Sequence, residues 1–147
     1  MSKKVVIIDY GLGNLFSVKQ ACETCGFPAE ISSEPKDILE ADALLLPGVG
    51  AFGQAVANLE ERGLSGAIRS YVESGRPFFG VCLGLQLLFD LSDEFGEHKG
   101  LSLVKGSVVK FPATTSEGEK VRVPNIGWNK VVPAGQDWLE IVSQIEI

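Results

Sequence analysis

The chain has 147 residues, 45% apolar and 22% charged, with a net charge of −6 and a pI near 4.8. That length suits one domain, spanning 1–147, and the apolar share excludes a disordered chain. The acidic balance argues against a nucleic-acid or anionic-membrane partner, and neither is expected.

Val5–Ile8 is a short apolar run that stops at Asp9, too short for a signal-peptide core, and no stretch approaches the apolar length of a membrane span. Three cysteines without a disulfide framework, Cys22, Cys25 and Cys82, fit a reducing compartment. A soluble, cytoplasmic protein is expected.

The run Val5–Ile8 does not alternate, so it reads as a strand buried on both faces of a parallel sheet. Gly11-Leu12-Gly13-Asn14 follows. It is not a dinucleotide fingerprint, because position 16 is Phe. It reads as a turn with Asn14 as a helix N-cap, phosphate binding being the alternative. Leu15, Val18, Cys22 and Cys25 then fall on one helical face ended by Gly26. Cys22 and Cys25 have C-x-x-C spacing inside that helix with no second ligand pair, so packing is favoured over metal or redox chemistry.

Leu44–Leu46 is a second buried strand, ending at Pro47-Gly48. The segment Pro47-Gly48-Val49-Gly50-Ala51-Phe52-Gly53 is either a plain glycine-rich turn or a cradle whose backbone N–H groups stabilise an oxyanion. Val56 and Leu59 mark a helix ended by Gly63. Leu64, Ile68, Tyr71 and Val72 mark another ended by Gly75. Alternating strands and helices predict an α/β three-layer sandwich with a mainly parallel sheet.

A third strand, Phe78–Val81, runs into Gly80-Val81-Cys82-Leu83-Gly84, with a helical run over Leu85–Phe89 behind it. A nucleophile on a sharp strand-to-helix turn needs small neighbours, and glycines two before and two after Cys82 supply them. The helix N-terminus favours thiolate. A thiolate nucleophile usually works with a histidine. The chain has only His98, in the charged stretch 93–99, which reads as a solvated loop residue. Its becoming a base requires that loop to fold back.

After residue 100 the character changes. Short strands are predicted at Ser107–Phe111, Lys120–Val123 and Trp128–Val132, a small antiparallel addition, and Asp137–Ile147 is ambiguous.

These residues resemble the class I glutamine amidotransferases, and among them the glutaminase subunits of imidazole glycerol phosphate synthases. The resemblance covers essentially the whole chain. It rests on Asp9-Tyr10-Gly11 with Gly13-Asn14, on Leu46–Phe52, on Gly80–Phe89 and on Pro124-Asn125-Ile126-Gly127-Trp128-Asn129. It implies a flavodoxin-like amidotransferase fold and Cys82 as the nucleophile on the side-chain amide of glutamine. It also implies an oxyanion hole from Leu83 and from Val49 or Gly50, with Gly48, Gly50, Leu83 and Gln86 around the substrate. The implied partner is a (β/α)8-barrel cyclase subunit that receives ammonia in histidine biosynthesis, docking near Gly11, Asn14, Phe52 and Trp128. No cofactor or metal is implied.

Two departures accompany the resemblance. Asn125 stands where the family usually has histidine. The family's catalytic His and Glu follow the Gly-Trp-Asn region, and no His-x-Glu pair follows Cys82 here. A C-terminally incomplete amidotransferase domain is therefore expected, either a partial chain or a natural short paralogue. The alternative is a catalytically silent binding or regulatory partner.

Overall fold

The structure, a computed structural model, describes residues 4–124, 127 and 128. The chain divides into two compact units, residues 1–110 and 111–147.

The first unit is built on four parallel strands in the order β2-β1-β3-β4: β1 Val5–Ile8, β2 Ala29–Ser32, β3 Ala43–Leu46 and β4 Phe78–Gly80. Five helices connect or follow them: α1 Leu15–Thr24, α2 Pro35–Glu40, α3 Phe52–Glu61, α4 Leu64–Glu73 and α5 Leu83–Gln86. A smaller mixed sheet, β6-β5-β7, holds β5 Phe89–Ser92 between β6 His98–Lys99 and β7 Val104–Val108.

Strand geometry sends alternate side chains to opposite faces, and here both faces are apolar. Val6, Ile8, Leu44 and Leu46 join Ile38, Phe52, Leu59, Ile68 and Tyr71 in the larger core. Val5, Ile7 and Ala29 form a second core with Leu15, Val18 and Cys22 of α1. Two cores on one sheet are the three layers predicted. Burying each large apolar side chain contributes about 1.5–3 kcal/mol.

Helix ends follow local chemistry. Asn14 caps α1, accepting a hydrogen bond from the Ser17 N–H at 3.3 Å. Gly26, at φ +83, ends it, and the Phe27 N–H donates to the Cys22 carbonyl at 2.9 Å.

Several expectations need correction. The helix after Cys82 spans only Leu83–Gln86, because Phe89 leaves it to pair with Val104 in the small sheet. The run Leu85–Phe89 is apolar enough for either state, and tertiary pairing decides. The added sheet therefore begins at Phe89 rather than after residue 100. It is mixed, with β5 antiparallel to β6 and parallel to β7. Its last strand is Val104–Val108, where Ser107–Phe111 was expected. β4 is not buried on both faces, since Phe79 remains exposed. β2 and α2 were not anticipated.

In the second unit, Lys120 makes an isolated bridge to Thr114, and Lys120–Val123 forms no strand. The expected strand Trp128–Val132 lies outside the described residues except for Trp128, as do Asn125 and Asp137–Ile147. Among the described residues no helix is long and apolar enough to cross a membrane.

Candidate active site

The turn between β4 and α5 carries Cys82 at φ 56 and ψ −118, a conformation that side-chain-bearing residues rarely adopt. Its neighbours allow it. A Cβ on Gly80 would lie 2.8 Å from the Leu85 backbone nitrogen, and one on Gly84 would overlap the Leu46 carbonyl oxygen. The elbow is thus pressed onto the end of β3, and the Val81 N–H donates to that same Leu46 carbonyl at 3.0 Å. Cys82 itself is exposed. α5 has a single turn, so aligned peptide dipoles give less support to a thiolate at Cys82 than a longer helix would.

The turn between β3 and α3 faces this elbow. Gly48 is buried, and a Cβ there would meet the Tyr10 hydroxyl on one side and Leu83 Cβ (3.0 Å) and the Gly84 nitrogen (3.1 Å) on the other. Val49 and Gly50 are exposed beyond it, Gly50 at φ +105. Among the described residues, the N–H groups of Val49, Gly50 and Leu83 have no backbone acceptor. Unpaired donors beside a nucleophile suit an anionic oxygen.

Side chains from distant segments hold the turn. The Tyr10 hydroxyl donates to the Pro47 carbonyl at 2.9 Å. Burial pushes the phenol up to about 12, with a smaller push from the charge on Cys82. α3 has no cap of its own at Ala51, and the Phe52 N–H instead donates to the Glu94 carboxylate at 2.7 Å. The stretch carrying Glu94 does fold back, because the His98 imidazole packs on Gly53, where an added Cβ would lie 2.6 Å from Cε1. No hydrogen bond joins His98 to Cys82 among the described residues.

Sequence reasoning missed Tyr10 and Glu94. Tyr10 belongs to the Asp9-Tyr10-Gly11 segment without a role readable there, and Glu94 carries no local signal. Gln86 is exposed one turn beyond Cys82. Phe52 needs correction as a docking residue. It is fully buried in the larger core, so its side chain is not available to a partner. Gly11 and Asn14 are exposed beyond β1, and Trp128 of the second unit is fully exposed rather than a core residue. Cys22 is half-buried, its thiol pushed up by burial first and by the charge on Cys25 second, while Cys25 is exposed.

A parallel sheet whose strand-end cysteine occupies a strained elbow beside backbone donors without partners is an α/β arrangement suited to a thiol nucleophile. The chain matches the family Glutamine amidotransferase class-I over residues 6–145 and belongs to it. Within that family it is similar to proteins named imidazole glycerol phosphate synthase subunit HisH. The one from Aquifex aeolicus is 51% identical over 143 residues, covering 97% of this chain and 63% of the relative. The one from Syntrophotalea carbinolica is 50% identical over 128 residues, covering 86% and 62%. The chain thus spans about three-fifths of the length of these curated relatives. Among solved structures, a glutamine amidotransferase crystal structure aligns with a TM-score of 0.61 at 24% identity, covering 71% of this chain and 55% of that one. A putative peptidase E from Listeria monocytogenes EGD-e aligns with a TM-score of 0.58 at 16% identity, covering 69% and 63%. At these identities both alignments speak for the fold alone.

Proposed function

We propose that this chain provides the glutaminase chemistry of an imidazole glycerol phosphate synthase. The observation that carries the reading is Cys82, held exposed at a strained elbow against a turn with unpaired N–H groups. The Cys82 sulfur attacks the amide carbon of glutamine. The carbonyl oxygen becomes anionic and is held by the Leu83 N–H with Val49 or Gly50, while Gln86 orients the amino-acid end. The C–N bond breaks, ammonia leaves with a proton, and water cleaves the thioester to glutamate. That proton needs a base, and none of the described residues is bonded to Cys82. The span 1–147 alone is therefore expected to alkylate slowly and turn over poorly, since a general base typically supplies about 10²–10⁴-fold.

The ammonia passes to a (β/α)8-barrel cyclase subunit. Gly11 and Asn14 sit exposed past the end of β1 in the first unit, and Trp128 is an exposed aromatic of the kind that anchors interfaces. The test is glutamate release with the cyclase present. Release by 1–147 should be slow and still vanish in Cys82→Ala, and a parent that binds the cyclase while releasing no more glutamate than Cys82→Ala supports the silent-partner reading instead. Calorimetry of Trp128→Ala against the cyclase tests the anchor, and unchanged affinity in a folded variant removes it.

A further inference from the structure

We infer that Tyr10 is a positioning residue for the turn that holds the oxyanion, acting through the hydrogen bond from its phenol to the Pro47 carbonyl. This rests on the glutaminase reading above.

The geometry is specific. Tyr10 is the second residue after β1 and is fully buried. Its hydroxyl reaches 37 residues along the chain to Pro47, the first residue of the turn after β3, at 2.9 Å. The same hydroxyl fills the space a Gly48 side chain would need, so Gly48 is clamped between it and the first turn of α5. The Tyr10 carbonyl accepts from the Asn58 side chain of α3 at 3.0 Å. One residue therefore fixes the segment Pro47–Ala51 at its entrance through the phenol and at its exit through the helix that follows. Within the segment, Val49 and Gly50 are exposed, and Gly50 has open space where a Cβ would stand. The donors assigned to the oxyanion lack packing of their own, and their aim is inherited from the anchored ends.

The phenol does not serve as an acid or base at Cys82. Its proton points to Pro47, and with the group pushed up to about 12 it stays protonated at neutral pH. It donates in the same sense throughout the working range, as a positioning bond requires.

Tyr10→Phe tests this, because it removes one oxygen and keeps the ring. Circular dichroism should match the parent. The ¹⁵N order parameters of the Val49 and Gly50 amides should fall from the rigid range, about 0.85, to below about 0.6. With the cyclase present, kcat for glutamate release should drop about tenfold or more with KM within about twofold, because misaimed donors act on the transition state. Cys82 alkylation by iodoacetamide forms no oxyanion and should stay within about twofold of the parent. Unchanged order parameters overturn the proposal. Alkylation slowing in parallel with kcat also overturns it, since Tyr10 would then act on the thiol. Loss of the fold overturns it too, making the hydroxyl a general stability element. If the parent releases no more glutamate than Cys82→Ala, the glutaminase reading fails, and the order parameters alone decide the role of Tyr10 on the turn.

Discussion

The two strand-to-helix turns at the candidate site obey different rules. The β4–α5 turn is shaped from within: Gly80 and Gly84 have no room for a side chain, and Cys82 absorbs the strain. The β3–α3 turn is shaped from outside, with Tyr10 at Pro47 and Glu94 at Phe52, while Val49 and Gly50 lie open. A nucleophile needs a fixed position, which backbone packing supplies. Donors that receive a substrate need open space, so their support comes from outside the turn.

The sharpest way to break this comparison is Gly84→Ala. Its Cβ would overlap backbone of β3, which cannot yield as a flexible side chain does. A loss of about 3–5 kcal/mol or outright misfolding is expected in thermal melts. Gly50→Ala, with open space but φ +105, should cost only about 1–3 kcal/mol. Equal losses would erase the distinction.

Cys82→Gly probes the strain directly. Activity disappears, yet stability should rise by about 1–2 kcal/mol, because glycine adopts φ 56 freely. Denaturant titration checks this, and a destabilised glycine variant would mean that the elbow stores no strain.

Glu94→Ala sharpens the other half. Removing a cap supplied from 42 residues away should cost about 0.5–2 kcal/mol, as local caps do. Asn14→Ala at α1 should cost about 1 kcal/mol, nearer the lower end, since its bond is 3.3 Å long. The Glu94 change should also alter glutamate release, because it loosens the helix start behind the Val49–Gly50 donors.

A further effect is alkaline. Tyr10 is pushed up to about 12 in the folded chain, against about 10 when unfolded. The unfolded state therefore loses its proton first. This contribution to stability is complete below pH 10 and is lost as the pH rises toward 12. Stability measured across that window should decline less in Tyr10→Phe.

Much of this architecture was legible in the sequence. β1, β3 and β4 announce themselves as apolar runs, and α1, α3 and α4 by helical spacing with glycine ends. Cys82 is legible because a crowded turn demands glycine at both flanks. β2 was not legible, because Ala29-Glu30-Ile31-Ser32 mixes polar and apolar residues and takes its place from pairing with β1. α2 buries only Ile38, too little to leave a periodicity. Leu85–Phe89 misled because its apolar content suits a helix, while pairing with β7 takes Phe89. Tyr10 and Glu94 act across 37 and 42 residues, a separation at which no local pattern records a hydrogen bond.

The double-sided burial of β1 carries one more consequence. In a sheet with one wet face, a strand that slips by one residue exposes its apolar set, and the error corrects itself. Val5–Ile8 is apolar and buried at every position, so inside the strand a slip would trade the residues of one core for those of the other, and only the ends would register it, where Lys4 or Asp9 would enter a buried position. Along the strand itself hydrophobicity is blind to that mistake. Polar contacts at the strand's ends detect it: the Lys4 N–H on the Asp42 carboxylate at 2.6 Å, the Asp9 N–H on the Ser32 carbonyl at 2.8 Å and the Tyr10 phenol on Pro47 at 2.9 Å. These contacts proofread the alignment of the sheet, and a β1 threaded one residue out of step could not present Tyr10 to Pro47.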